Sequence, residues 1–448
     1  MSFEFGTKKQ VFIDWDFVEP GYGLVLNSGR PTSWEMSYGM KLNVHRPRLN
    51  EVPILEPDQP WESDLNWHTS MFEDGGLIRV YYRIYDITAL SSGYDYRLAY
   101  AESEDGVNWV KPNLGTYDFN GSTDNNIIEL GRPARSPMVF KDPSADANER
   151  YKLVFRGQID GEHHIWGATS SDGLHWDVIE APLLSGYASD THNVVAYNEE
   201  KGKYVGYWRG RRPVDGGHLQ TRRTIAYAET EDFRTWPKPQ TIIGPDVHDG
   251  PHADIYTNSY TVWPDANAHL MFPSMFERDR DILEMHLFTS RDGLKWERIS
   301  RDPIIPQGEP GSLAANGVWA GAGLVTINPG EWSLPVSTLS VTHNQHMFPD
   351  AMERRIHRGH VSLATWREDG FTSIGTDAEG SFSTVPFVLK GGELQLNTWS
   401  AYGGAIRVEL AEVSDQASSK ETWPGQLLPV AGRSFDNCDV ITGDNLHH

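Results

Sequence analysis

The feature that most limits what this chain can become is a hairpin phrase that returns at regular intervals. "LAYAESEDGVNWVKP", from Leu98 to Pro112, reads as a strand, a tight turn and a returning strand. Apolar and polar residues alternate in its first half with period two, the signature of a half-buried strand. Asp105 and Gly106 supply the turn, since an aspartate carboxylate accepts backbone N–H groups and glycine tolerates positive φ. Trp109, four residues after the aspartate, is a large apolar anchor. The phrase recurs as "ATSSDGLHWDV" with Asp172 and Trp176, "AYAETEDFRTWPKP" with Asp232 and Trp236, and "LFTSRDGLKWERI" with Asp292 and Trp296. A fifth copy, "LATWREDGFTSIG", keeps Asp369 and Gly370 but has Ser373 where the Trp would stand. Successive aspartates lie 67, 60, 60 and 77 residues apart. One S-x-D-G is ordinary turn grammar; a series at this spacing is a repeat architecture.

A period of about 60 residues accommodates one four-stranded antiparallel sheet with its turns. The repeats open at "DLNWHTSMFEDGGLIRVYYRIYD", "RSPMVFKDPSADANERYKLVFRG", "SDTHNVVAYNEEKGKYVGYWRG", "ADIYTNSYTVWPDANAHLMFPSMF" and "GEPGSLAANGVWAGAGLVTINPG". A lone sheet of this kind cannot bury both faces, whereas radial stacking buries them and leaves only short edges. The expected fold is therefore all-β: a five-bladed β-propeller over residues 51–379, led in by an N-terminal strand and segment over 1–50. The hairpin indoles are expected between neighbouring blades, and the hairpin aspartates to be structural. After the fifth copy the period ends, and "LKGGELQLN" and "AIRVEL" read as strands of a small C-terminal β-sandwich over 380–448. So short a sandwich is expected to be incomplete, or to be finished by the N-terminal strand "QVFIDW".

Composition agrees, with 11% aromatic residues, 42 Gly and 27 Pro, a mixture suited to strands and turns. No apolar run approaches the roughly 18 residues of a membrane span. A net charge of −23 repels phosphate backbones and argues against nucleic acid as a partner. The single cysteine, Cys438, allows no internal disulfide, and the first residues lack the apolar core of a signal peptide. Both point to the cytoplasm.

Five such hairpins followed by the "LKGGELQLN" segment resemble the furanosidase propeller superfamily. That group includes the invertase and levanase family and the arabinanase and xylosidase family. The likeness is strongest to proteins similar to the N-terminal domain of glycoside hydrolase family 32, through "FNGSTDNNII", "KDPSADANERYKLVF" and "FTSRDGLKWERI". The resemblance implies hydrolysis of fructosyl or arabinosyl furanosides in small oligosaccharides. Its catalytic motifs do not carry over: W-M-N-D-P-N is absent, and the E-C acid motif is missing, since Asn437 precedes Cys438. The R-D-P element has only "KDP" at Lys141–Pro143, which reads as a surface turn.

Site residues therefore follow from geometry. Propeller sites gather where the inner strands begin, and glycoside hydrolysis needs two carboxyl groups, often tuned by a third. Acids at those places are Asp64, Asp190, Asp254 and Glu309. Arg83, Arg156 and Arg209 end second strands that return to the same mouth, where they could bind sugar hydroxyls or a substrate carboxylate. Trp67, His68, His192 and His252 complete the expected substrate-binding set, with Trp208 and Trp319 as further stacking candidates. No cofactor is expected. The pairs His248 and His252, His343 and His346, and His357 and His360 are compatible with a divalent metal, and His252 with Asp254 is the foremost candidate. No glycine-rich phosphate loop, nucleophile elbow or dinucleotide fingerprint occurs.

The leading reading is a glycoside hydrolase in which Asp190, Asp254 and Glu309 serve as base or nucleophile, pKa modulator and acid. A sialidase is disfavoured, because its hairpin places a residue between Asp and Gly. A carbohydrate-binding propeller without catalysis, or a glycosyl-transferring or phosphorolytic variant, is the alternative.

Overall fold

A computed structural model describes residues 3–4, 8–18, 37–62, 65, 68–86, 95–212, 221–344, 359–385, 387–388, 395–401, 403–408 and 440–442. Apart from one short 3-10 turn at Ala147–Glu149, the regular structure among the described residues is β-strand. No helix there is long and apolar enough to cross a membrane. The chain forms two compact units, one of Asn43–Thr372 and one of Met1–Leu42 with Ser373–His448.

In the larger unit the first three repeats each build a four-stranded antiparallel sheet in chain order. The first holds Thr69–Asp74, Leu77–Asp86, Asp95–Ser103 and Ile127–Ile128. The second holds Arg135–Lys141, Tyr151–Ile159, Glu162–Ser170 and Asp177–Val178. The third holds Val194–Asn198, Lys203–Arg212, Arg222–Thr230 and Gln240–Ile243. The arrangement is that of a propeller, but with four blades and not the expected five: these three four-stranded sheets and one larger sheet. Repeats four and five share one seven-stranded sheet, joined where Leu283 pairs in parallel with Gly317. The outer halves of the fourth repeat's strands, Tyr260–Val262, His269–Met271 and Phe288–Ser290, form a separate three-stranded sheet. The break has a local cause. Pro273 stands between His269–Met271 and Ser274–Glu277, and it has no N–H to continue the ladder.

Each hairpin docks on the repeat before it. Arg79 of the first sheet donates to the Asp172 carbonyl at 2.6 Å. Phe233 packs on Phe140, and Arg234 pairs with Glu149 at 2.6 Å. Tyr207 donates its hydroxyl to the Gly293 carbonyl at 2.8 Å, with the Trp296 ring edge-on 5.8 Å away. Trp263 donates to Asp369 at 2.8 Å. Gly106 of the first hairpin lies against Ile327 of the fifth repeat, so closely that a Cβ would come within 2.6 Å of it. The ring closes there, helped by Met71 and Ala322, whose backbones bond at 2.8 Å. On the far side of the last repeat, Arg48–Leu49 pairs with Gly359–Arg367.

Within the hairpins the aspartates do the backbone work expected of them. Asp105 accepts the N–H groups of Val107 and Asn108, Asp172 those of Leu174 and His175, and Asp292 those of Leu294 and Lys295. All four indoles donate to the carbonyl three residues earlier, at 2.8–3.2 Å. In the fifth copy the missing Trp is replaced by Phe371, which is fully buried and meets Trp263 edge-on at 5.1 Å. Asp142 departs from the surface turn expected of it. It is 2% exposed and accepts from the Tyr204 hydroxyl at 2.6 Å, linking the second sheet to the third, because Tyr204 needs a buried acceptor.

The smaller unit pairs Phe3–Glu4 in parallel with Phe387–Val388, and isolated bridges join Val18 to Thr384 and Tyr38 to Ser381. Phe12 meets Phe382 edge-on at 5.5 Å. The N-terminal segment thus joins the C-terminal one, where the described strands are Phe387–Val388, Ala405–Arg407 and Val440–Thr442; most of the expected sandwich over 380–448 lies outside the described residues. Residues 409–439, with Cys438, lie outside the described residues.

Phe371→Ala should lower stability by about 3–5 kcal/mol, as for a large buried aromatic, read from urea unfolding midpoints.

Candidate functional site

Antiparallel register decides which side chains share one mouth of the larger unit. Arg83 donates its backbone N–H to His68, just before the first inner strand, at 3.3 Å. Arg156 stands opposite Arg135, the first residue of the second inner strand. Tyr207 pairs with Val194, so Arg209, two residues on, lies beside the Asp190–His192 lead-in. Arg278 donates its backbone N–H to His252, next to the inner strand that carries Asp254.

Asp190 is the accessible carboxylate of this cluster, its side chain 45% exposed although other atoms crowd around it. It accepts from Arg209 at 2.5 Å and lies 3.9 Å from Arg211. Burial pushes its pKa up, but Arg209, Arg211, Arg223 and Arg156 outweigh that and hold it at about 2. Arg209 is buried, stacks over the Tyr256 ring at 4.6 Å and donates to the Tyr256 carbonyl. Tyr187 fixes the Arg209 backbone by donating its hydroxyl at 2.7 Å.

Asp254 is in a different state. It is fully buried, and Arg223 and Arg278 take both its oxygens, with side-chain contacts of 2.6, 2.7 and 2.8 Å and one from the Arg223 backbone at 2.8 Å. A carboxylate so enclosed clamps strands together. Glu309 lies in an exposed turn closed by the Ser312 N–H, and it enters none of the ion pairs of Asp190 or Asp254. Asp64 and Trp67 lie outside the described residues.

His68 and His192 meet at 5.4 Å between ring centres, both buried. Burial takes His192 down to about 3. It also takes His68 well below its usual value, aided by Arg83, His192 and Arg209. Both ring nitrogens of His192, with Thr191 Oγ1 and Thr257 Oγ1, are buried polar atoms without a hydrogen-bond partner among the described residues.

The stacking roles expected of Trp208 and Trp319 are corrected. They are 0% and 3% exposed and belong to the core, Trp208 against Trp236 and Trp319 with Tyr256 and Phe276. His248 and His252 are exposed, and the oxygens of Asp254 already serve arginines. Among the described residues no three His, Cys, Asp or Glu side chains gather as a metal site. His343 packs against Tyr256 and Phe276, His360 is half-buried, and His346 and His357 lie outside the described residues.

The second repeat has Arg135 where the others have an acid. Sequence reasoning missed Arg211, Arg223 and Arg278, although the basic doublets in "WRGRR" and "TRRT" carried a signal for the first two. It also missed Glu277, whose carboxyl is pushed above its usual value by burial, then by Asp279, with Glu284 and Asp249 adding to the effect. A separate hollow on the first sheet, lined by Trp61, Tyr117 and Phe119, shares no residue with the mouth.

No family model matches the sequence, and no curated protein matches it. Two solved structures are similar in fold. One is a complex of BT0996 with RGII, at TM-score 0.52 and 11% identity over 72% of this protein and 92% of that one. The other is described as a glycoside hydrolase, at TM-score 0.51 and 11% identity over the same shares.

The buried histidines set a pH dependence. A neutral histidine whose folded pKa lies below the unfolded 6.5 stabilises nothing extra at high pH and costs stability as pH falls below 6.5. Asp190 acts only lower down, since its contribution is kept until pH drops from the unfolded carboxylate range toward 2. Between pH 7.5 and 5.5, His192 alone should therefore cost about 1 kcal/mol. Thermal unfolding should show Tm falling over that interval, less steeply in His192→Asn.

Proposed function

We propose that this chain is a glycoside hydrolase acting on small oligosaccharides, with Asp190 as the ionised carboxylate of the reaction. The observation that carries this is Asp190 itself: an accessible acid at the start of a propeller's inner strand, held charged by guanidinium groups. In that state it can activate water or attack the anomeric carbon, while a second carboxyl gives its proton to the leaving oxygen. Glu277, opposite Ala253 on the strand beside that of Asp254, enters as a candidate for that acid because burial and its acidic neighbours raise its carboxyl above the usual value. Asp64 and Glu309 stay candidates by their place before inner strands. Asp254 is assigned to holding Arg223 and Arg278. The likeness to furanosidase propellers makes fructosyl and arabinosyl furanosides the first substrates to try.

A carbohydrate-binding propeller without catalysis is the second reading. The enclosure of Asp254 favours it, because that carboxylate offers no oxygen to a substrate.

A screen on nitrophenyl furanosides and pyranosides separates the two. On the best substrate Asp190→Asn should lose about 10²–10⁴-fold in kcat/KM. Glu277→Gln, Glu309→Gln and Asp64→Asn should divide into one similarly damaged variant and two mild ones. Sugar binding without cleavage by the unmodified chain supports the second reading, and full activity in Asp190→Asn removes Asp190 from the chemistry.

A further inference from the structure

In a chain of net charge −23, the mouth beside Asp190 gathers guanidinium groups. Arg209 and Arg211 share Asp190, and Arg223 and Arg278 share Asp254. Arg135 and Arg156, paired across the second sheet, have no carboxylate within 4.0 Å among the described residues.

What supports these two is neutral. The Arg135 guanidinium lies 5.1 Å from the centre of the Tyr96 ring, which also receives Arg83 at 4.9 Å. Arg156 donates from Nη2 and Nε to His163 Nδ1 at 2.8 and 3.2 Å. Burial, then Arg156 and Arg135, push the His163 pKa below its usual value against the pull of Asp190, which suits an acceptor. Aromatic faces and a neutral imidazole fix where a guanidinium points but cancel none of its charge. The crowding is unfavourable: Arg156 is pushed below its usual value by burial, then by Arg135 and Arg209, against the opposing pull of Asp190. An external oxyanion relieves it.

We propose that Arg135 and Arg156 receive the carboxylate of an acidic sugar, so that the oligosaccharide this mouth takes contains a uronic acid. The inference rests on the carbohydrate-active reading above and narrows its substrate class. A guanidinium presents a planar fork of N–H donors that matches a carboxylate, whereas hydroxyl groups of a neutral sugar would leave the charge uncompensated. Tyr96 and His163 are positioning residues that aim the pair.

Calorimetric titration of the full-length protein tests this with D-galacturonate, D-glucuronate, methyl D-galacturonate ester, D-galactose and inorganic phosphate. One of the free uronates should bind about tenfold or more tighter than the ester and the neutral sugar, and should weaken as salt rises. Arg156→Gln and Arg135→Gln should each remove that preference, with Tm showing that the fold survives. Arg156→Lys should restore part of it, as a charge without the fork. Equal binding of uronate and ester overturns the proposal, as does phosphate binding tighter than both uronates, which would make the cluster a phosphate site. Titration needs no turnover, so a protein that hydrolyses nothing can still bind uronate, and one that cleaves neutral furanosides can still fail to.

Discussion

The structure depends on one repeated contact, a hairpin tip seated on the preceding sheet. An aspartate holds the tip in shape from inside by accepting two backbone N–H groups, and an indole braces it by reaching back to a carbonyl. Only a tip so stiffened can offer its own carbonyl outward, as Asp172 does to Arg79 and Gly293 does to Tyr207. The aromatic rings between repeats then have fixed partners, and no sheet is left to bury its faces alone.

That rigidity is what makes a charged mouth sustainable. Arginines crowd together only if strands hold them against their mutual repulsion. Here Arg83, Arg156 and Arg209 stand within strands whose register is set over nine or ten residues, each three residues short of the strand end expected of it. Asp254, locked between Arg223 and Arg278, ties the third sheet to the fourth repeat at the same level. Asp190 keeps one side open. Two carboxylates, 64 residues apart in the chain and similarly placed before or within inner strands, thus take opposite parts.

The repeats, their hairpin chemistry and the convergence of Arg209 with Asp190 were legible in the sequence, because they rest on local turn chemistry and on period. What escaped was nonlocal. Nothing in "LMFPSMF" announces that Pro273 will split the strand and let Leu283 pair with Gly317. Nor does "HADIY" reveal that Asp254 faces two arginines, one from a strand that starts 32 residues earlier. The lone "KDP" reads as solvent-facing turn chemistry, yet the demand comes from Tyr204, 62 residues away. Burial of an acid is decided by its distant partner, and a single sequence does not name that partner.

The two-residue strand Arg48–Leu49 is the piece of the larger unit that comes first in the chain, and it lies against the piece that comes last, Gly359–Arg367. A circle fastened by its own beginning has to be finished at its end. During synthesis the first three sheets can assemble in turn as they emerge, but the leading strand waits, unpaired, for more than three hundred residues to follow. That seam joins stretches more than three hundred residues apart, so the entropy of bringing its two sides together is greater than for any hairpin within a repeat.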